Sequence, residues 1–256
     1  MRKLVVAALA SVCLLAVAAL AYAQSSANTE LEATASLARN NTGTPARPEA
    51  ETLRLGMDQK TKDGTGQPGT SVRLLFDLPR QVNLRALRRW SSRRRCDSAR
   101  ADQQKSDRVC PRGSRVGSVN VTAKAAGGSI TQILRGVVYV IKPRGGSANA
   151  SQAAAGLGFW ITSTSPVAVA QFLPGKVNHR TGVLDTSIPR NLQQPIAGVK
   201  SSIERLRASI GGKDPRGGPL VASTGCPRSR RMPLKVTSVN DDGGRVTDTA
   251  QIRCRP

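Results

Sequence analysis

The sequence predicts an all-β protein: a β-sandwich with one or two short helices and two disulfides. Three observations predict this class. Apolar and polar residues alternate over many short runs rich in Val, Ile and Leu. Gly- and Pro-rich turns separate the runs at intervals of about 10 to 20 residues, which is typical of sandwiches. An even number of cysteines remains once an export signal is set aside, and this favours disulfides.

The N-terminal segment reads as a secretory signal. It has a basic start at residues 1–3, an apolar stretch over residues 4–20 and an Ala-Tyr-Ala sequence at residues 21–23, the small-x-small pattern that signal peptidase requires. We expect cleavage after Ala23 and a secreted or cell-surface chain that begins at Gln24. The alternative is an uncut membrane anchor, because an apolar run of about 20 residues is just long enough to span a bilayer.

The charge is strongly positive. The chain holds 39 Lys plus Arg and 16 Asp plus Glu, a net charge of +23, and the signal removes two of the basic residues and none of the acidic ones, which leaves +21. Such a charge predicts attraction to polyanions: cell-wall polymers, anionic lipid headgroups or nucleic acid. The alternative is a compositional bias toward Arg, spread over a solvated surface. Aromatic residues make up only 3% of the chain, which is low for a protein that stacks on bases or sugars.

Residues 24–51 are small and polar and show no sustained apolar period. This composition predicts a disordered polar leader, followed by a sandwich domain over residues 52–256. The alternative is a strand or helix that the pattern does not reveal.

Eight stretches carry the strand pattern and are bounded by turn residues. The predicted strands are 71–78, 116–121, 133–141, 157–162, 167–173, 183–188, 234–239 and 246–252. Two stretches are ambiguous. Residues 84–95 favour a short helix, whereas residues 196–210 fit both a helical spacing and an alternating one and favour a strand.

Cys96, Cys110, Cys226 and Cys254 remain after cleavage of the signal. Four cysteines permit three pairings. We expect Cys96–Cys110 and Cys226–Cys254, because each of these pairs brackets one local segment.

Two short stretches recur in the same order. Residues 76–80 (Phe-Asp-Leu-Pro-Arg) resemble 186–190 (Thr-Ser-Ile-Pro-Arg), and Cys110-Pro-Arg-Gly-Ser-Arg resembles Cys226-Pro-Arg-Ser-Arg-Arg. This repeat predicts two related halves, about 70–140 and 180–254. The alternative is chance similarity in an Arg- and Pro-rich chain.

The stretch Cys-Pro-Arg-Gly-Ser-Arg-Val-Gly-Ser at residues 110–118 follows a strand that ends in Leu-Pro-Arg, and precedes a late Thr-Gly-Cys-Pro and a terminal cysteine. Over residues 70–254 the chain thereby resembles uncharacterised exported β-rich proteins of high-GC actinobacteria. The resemblance implies export, two disulfides and a sandwich-like fold, with no established activity. The run 88–95 lengthens the usual interval before the first cysteine.

Motifs for catalysis are not evident. His179 lies in a polar, turn-like segment, and no Gly-x-Ser-x-Gly or phosphate-loop pattern occurs. The acids are few and mostly in turns, of which Asp241-Asp242-Gly243-Gly244 is the clearest. With one histidine and no Cys-x-x-Cys, a zinc site has almost no ligands to draw on. We therefore predict no catalytic residue, no metal and no cofactor.

One local feature rises above the background. Five arginines (Arg88, Arg89, Arg93, Arg94 and Arg95) lie within eight residues, beside Trp90 and just before Cys96. Guanidinium groups bind phosphates and carboxylates in a bidentate geometry. The cluster predicts an anion-binding loop, and the alternative is a solvated, mobile one.

Together these features suggest a non-enzymatic exported protein that associates with anionic cell-envelope polymers or the membrane surface through its charge. A secreted hydrolase with an unrecognised site is one rival hypothesis. Extracellular nucleic-acid binding is the other, and the scarcity of aromatic residues weakens it.

Overall fold

The computed structural model describes residues 26–39, 42–142, 156–178 and 181–255. The predicted signal peptide and His179 lie outside these ranges. Within them the chain forms antiparallel sheets with two short α-helices and two disulfides, which confirms the predicted all-β class.

Fourteen strands and two α-helices make up the described part, together with short 3-10 turns. The strands are β1 Thr29–Leu37, β2 Glu49–Glu51, β3 Leu53–Thr61, β4 Ser71–Asp77, β5 Val82–Asn83, β6 Arg115–Ala125, β7 Ile130–Ile141, β8 Gly156–Ser163, β9 Val169–Val177, β10 Val183–Ser187, β11 Ser201–Ile210, β12 Val221–Ser223, β13 Arg231–Asn240 and β14 Arg245–Arg253. The helices are α1 Ser98–Gln104 and α2 Arg190–Gln193, and the 3-10 turns are Ser26–Asn28, Arg85–Arg89, Ser92–Arg94, Asp107–Val109, Arg112–Ser114 and Ala126–Gly128.

The main sheet has eleven strands in the order β1-β3-β11-β6-β7-β8-β9-β10-β4-β13-β14, and a second sheet has the order β2-β12-β5. The main sheet curls until its two edge strands, β1 and β14, pack along each other. At this seam the backbone N–H of Ala33 donates to the Asp248 carboxylate at 2.7 Å. The two halves of the curled sheet therefore face each other across one core.

Alternation along the strands decides which side chains enter this core. In β13, for example, Met232, Leu234 and Val236 are buried, whereas Arg231 and Lys235 are exposed. The inner face carries the large apolar residues, and the charged residues of the same strands lie on the outer face.

The eight predicted strands correspond to β4, β6, β7, β8, β9, β10, β13 and β14. Residues 201–210 form β11, as the alternation favoured. Residues 84–95 form two 3-10 turns instead of one helix. Strand β3 had no predicted counterpart.

The prediction of a disordered leader over 24–51 was wrong. Thr29–Leu37 pair with β3 along their whole length, and Glu49–Glu51 form an edge of the small sheet. Leu37 is buried in the main core, with Leu31 packed against it. Strand β1 escaped detection because three of its five inner-face residues are Thr29, Ala33 and Ala35, which give little apolar signal.

The two matches of the predicted repeat lie at different kinds of place in the topology. Residues 76–80 and 186–190 end β4 and β10, which are neighbours in the sheet, so the first match is not a structural equivalence. The two Cys-Pro turns do occupy corresponding places, each leading into the first strand of a hairpin, β6–β7 or β13–β14.

The main sheet contains two series of five strands, β1-β3-β11-β6-β7 and β9-β10-β4-β13-β14, separated by β8. The paired strands β1 and β3 are followed in the order by β11, and the paired strands β9 and β10 are followed by β4. Each of these following strands comes from the other half of the chain. Because β4 and β11 are exchanged, the two halves form one domain.

The Cys96–Cys110 loop covers part of the outer face. Its helix α1 packs on β9, and Cys96 forms a parallel bridge with Ile141 at the end of β7. Beneath the loop, Trp160 and Tyr139 contact the ring of Phe172. Asp102 and Asp107 anchor the loop, because they accept from the Phe172 N–H at 2.7 Å and from the Tyr139 hydroxyl at 2.8 Å.

Phe172→Ala tests this covered outer face. Its side chain is 0% exposed, and truncation of such a residue should lower the free energy of unfolding by about 3–5 kcal/mol, measured by urea denaturation. Ile133→Ala is the control, since Ile133 lies on the outer face of β7 at 62% exposure and should change stability by no more than about 0.5 kcal/mol. Equal, small effects of both changes would contradict the packing of the loop.

Candidate functional site

The arginine-rich run is part of a segment that we call the connector, residues 78–96. Leu84, Leu87 and Trp90 recur every three residues, and in 3-10 geometry such residues lie on one face. All three are buried, and i to i+3 backbone bonds join them at 3.0 and 3.3 Å. The connector therefore packs on the main core through these three residues and leaves all of its arginines after residue 84 exposed except Arg95.

Arg89 is held by an ion pair. Its Nη1 donates to Oδ2 of Asp214 at 2.6 Å, and the Asp214 side chain is 0% exposed. The other carboxylate oxygen accepts the backbone N–H groups of Arg216 and Gly218 at 2.8 and 3.0 Å. Burial raises the pKa of Asp214, but the hydrogen bonds from Arg89 and these two N–H groups outweigh it and lower the pKa below its ordinary value.

The fold also holds Arg95 in place. It is 8% exposed, its Nε donates to the Trp90 carbonyl at 2.8 Å, and burial lowers the pKa of its guanidinium. Arg94 extends toward Pro215, with 3.5 Å between its Nη1 and the carbonyl oxygen. Arg88 and Arg93 are exposed.

The five predicted anion-binding arginines thus do not converge on one ligand. Arg89 and Arg95 are engaged by the fold, and Arg88, Arg93 and Arg94 remain at the surface. The run packs on the core through Leu87 and Trp90.

A groove of about 1180 Å³ lies beside the connector. One wall is residues 78–85. The floor is the outer face of β4, β10, β13 and β14, where Asp77 pairs in register with Val183 and Lys235. The β9–β10 turn contributes Asn178 and Thr181 to the rim.

The groove is basic. Three exposed cations line it, Arg80, Arg85 and Lys235, against Asp77 as the one acid among the described lining residues. Chemistry that depends on two carboxylates is therefore not assembled there. Fixed cations around an open concavity favour the binding of an anion.

Sequence analysis did not select these three cations. Lys235 lies at an outward position of a predicted strand, and Arg80 follows the Leu-Pro that ends another, so the sequence indicated that both side chains are exposed. The sequence did not indicate that these cations lie close together, because β4 and β13 become neighbours only through the exchange of strands.

Aromatic stacking is not offered by the described surface. Within the described ranges every aromatic side chain is buried: Phe76, Trp90, Tyr139, Phe159, Trp160 and Phe172. Recognition of bases or sugar rings by stacking would need exposed rings. The described surface can therefore recognise a partner through charge and hydrogen bonds.

An interior cavity of about 40 Å³ lies among Leu134, Ile161, Leu173 and other apolar residues. Such a volume holds one or a few waters. The polar residues at its edge, Gln132 and Ser201, donate to the carbonyls of Val167 and Leu192. This cavity is part of the packing.

Neither a metal-binding cluster nor a membrane-spanning helix occurs in the described ranges. In them no group of three or more His, Cys, Asp or Glu side chains is placed to hold a metal ion. Nor does any helix there have the length and apolar character needed to cross a membrane.

Comparison with protein-family models, with curated proteins and with solved structures found no match to this chain.

Asp214→Asn tests the anchoring of the connector. Loss of a buried carboxylate that accepts three hydrogen bonds should lower the free energy of unfolding at pH 7 by about 1–3 kcal/mol. The folded-state pKa of Asp214 is lowered, so its stabilisation is present above the unfolded-state pKa and is lost as pH falls through the folded-state value. The variant should lack this part of the acid-dependent loss, measured by urea denaturation between about pH 5 and pH 2.

Asp63→Asn is the control, because Asp63 is exposed and its carboxylate accepts from the Thr65 N–H in a surface turn. It should cost less than Asp214→Asn at pH 7. Equal costs for the two variants would contradict a specific anchor at Asp214.

Proposed function

We propose that this chain is an exported, non-enzymatic protein that binds anionic polymers of the cell envelope through its basic outer surface. The observation that carries the proposal is the groove beside the connector, where Arg80, Arg85 and Lys235 face one acid. The net charge of the whole chain adds a long-range attraction to any polyanion.

The acidic residues are too few to neutralise this surface, and most of them are engaged locally. Ion pairs occupy Glu30, Glu49, Asp58, Asp97, Asp185, Glu204, Asp214 and Asp241. Hydrogen bonds from backbone N–H groups or Tyr139 occupy Asp63, Asp102, Asp107, Asp242 and Asp248. Basic residues that outnumber these acids more than twofold leave an outer surface with a large positive excess.

The two disulfides support an oxidising compartment for this chain. Cys96–Cys110 and Cys226–Cys254 both form, as predicted, and paired cysteines are typical of oxidising environments outside the cytoplasm. Export through the signal at residues 1–23 would place the basic surface opposite an anionic envelope. N-terminal sequencing of the mature chain should then begin at Gln24.

The rival functions have less support. A hydrolase needs a nucleophile or an acid–base pair in a cleft, and the groove supplies one carboxylate among its described residues. Nucleic-acid binding would share the electrostatic term but lacks exposed rings in the described ranges.

Binding of purified residues 24–256 to an immobilised glycerol-phosphate polymer tests the proposal. The bound fraction should be high at about 50 mM NaCl. The affinity should fall about 10³-fold between about 50 and 200 mM NaCl, because binding releases counterions from the polymer and their release is less favourable at higher salt. An uncharged glucan should retain no protein at either concentration. Retention that does not depend on salt, or equal retention on the glucan, would contradict a charge-driven function.

The same assay tests the groove separately, with a groove variant and a charge-matched control. Arg80→Gln/Arg85→Gln/Lys235→Gln removes three groove cations, and Arg47→Gln/Lys62→Gln/Arg135→Gln removes three exposed cations elsewhere. The groove variant should bind more weakly than its charge-matched control. Equal binding would show that the groove has no special part.

A further inference from the structure

The floor of the groove carries a row of side chains that crosses four strands. One residue of each strand lies in register with its neighbours and lines the groove: Val183 of β10, Asp77 of β4, Lys235 of β13 and Thr249 of β14. Neighbouring strands are about 4.8 Å apart, so Asp77 has an apolar neighbour on one side and a lysine on the other. The row places a carboxylate next to a cation at the base of an open concavity.

The carboxylate of Asp77 has no partner in the described part of the chain. Its side chain is exposed, and neither an ion pair nor a hydrogen bond engages it there. Lys235 lies opposite in the register, yet no ion pair joins the two residues. Among the described acids only Glu32, on the outer face of β1, is likewise exposed and unpaired.

A neighbouring acid on the same face shows the contrast. Asp185 projects from β10, and Arg73 of β4 binds both of its oxygens, with Nε and Nη2 at 2.6 and 2.5 Å. Asp77 lies on the same strand as Arg73 and stays open, although three cations line its groove. None of those groove cations has an ion pair among the described residues. The groove thus offers free charges of both signs, with the positive sign in excess.

This order of charges disfavours a ligand that carries anionic groups alone. Opposed residues of a ladder have Cβ atoms about 4.5–5.5 Å apart, so an anion on Lys235 lies close to the Asp77 carboxylate. Like charges at such a distance repel each other. A ligand that has an ammonium group near its anion would instead place that group against Asp77, where it gains a charge-assisted hydrogen bond.

The groove has room for a substituted repeat unit. Its volume of about 1180 Å³ exceeds the ~300–1000 Å³ of typical small-molecule sites. The two ends of the floor row, Val183 and Thr249, can contact apolar and hydroxyl parts of such a unit. An unbranched anionic chain would leave much of this space unfilled.

We propose that the groove binds an anionic polymer whose repeat units carry ammonium groups, and that Asp77 is the residue that recognises the ammonium group. This inference rests on the proposed function and names the ligand chemistry of the same site. Lys235 on the floor and the two arginines of the wall hold the anionic groups. The ligand's two charges therefore belong to one repeat unit or to adjacent units, as in a polyol phosphate esterified with an amino acid.

The test compares Asp77→Asn with Glu32→Gln, because each change removes one exposed, unpaired carboxylate from the outer face. The ligands are a glycerol-phosphate polymer and the same polymer with alanyl esters on a minority of its hydroxyls, so that both keep a net negative charge. Affinities are measured by titration calorimetry at fixed low salt. A chelator is present, so that no divalent cation links the carboxylate to the polymer.

The two polymers should respond to Asp77→Asn in opposite directions. The variant should bind the alanylated polymer about 3-fold more weakly than wild type, because an exposed ion pair is lost, and the plain polymer about 2-fold more tightly, because a repulsion is removed. Glu32→Gln should leave the ratio of the two affinities within about 2-fold of wild type. Loss of negative charge alone would strengthen the binding of both polymers and could not produce opposite signs.

Two further comparisons define the recognised group. Acetylation of the alanyl amines keeps the size of the substituent and removes its charge. Asp77→Asn should bind the acetylated polymer more tightly than wild type does, as it binds the plain polymer. Asp77→Glu keeps the carboxylate and should retain the wild-type preference for the alanylated polymer over its acetylated form.

The outcomes separate this inference from the proposed function. If Asp77→Asn binds the alanylated polymer as tightly as wild type or more tightly, the ammonium site is overturned and binding by general charge remains. Absence of wild-type binding to either polymer would overturn both proposals. The thermal midpoint of Asp77→Asn should equal that of wild type, because the carboxylate has no partner among the described residues, and weaker binding would then not reflect unfolding.

Discussion

Closure of the main sheet is the constraint on which the rest of the structure depends. Edge strands expose unpaired backbone groups, and packing the two edges of a curled sheet against each other shields them from other chains. Here β1 packs along β14, with the Ala33 N–H bonded to Asp248 at 2.7 Å. Closure leaves one inner face, which most of the large apolar residues fill, apart from the cluster under the Cys96–Cys110 loop, and most of the charged residues lie outside.

The basic surface follows from this arrangement. The acids bind particular partners, as Asp214 binds Arg89 at the connector, and the excess arginines remain on the outer face. The exchange of β4 and β11 then places residues distant in sequence side by side, so that Lys235 lies opposite Asp77 beside the connector. The groove lies on this basic outer face, and the charge of that face supports the proposed function.

Sequence patterns predicted the strands whose inner faces are β-branched or Leu, such as β7 and β13, together with both disulfides. They missed β3 because its inner residues change from Leu53, Leu55 and Met57 to polar ones. Gln59 lies at such an inner position, where its side-chain oxygen accepts from the Ser71 hydroxyl at 3.1 Å, and the Ser71 hydroxyl is in turn bonded to that of Ser238 at 2.9 Å. Alternation of hydrophobicity cannot reveal a strand whose interior partners are polar.

The candidate site was predictable only in part. The arginine run was evident, but the three-residue spacing of Leu84, Leu87 and Trp90 that orders it was a weaker signal. The position of Lys235 beside Arg80 and Arg85 depends on the pairing of β13 with β4, which joins residues far apart in sequence.

Amide hydrogen exchange along β1 tests the closed sheet most directly. If β1 seals the sheet, the amides of residues 29–37 that bond to β3, together with that of Ala33, should be protected nearly as well as those of the core strands β4 and β13. Exchange of these amides at the rate of an unfolded chain would contradict closure, and with it the account of why the charge lies on the outer face.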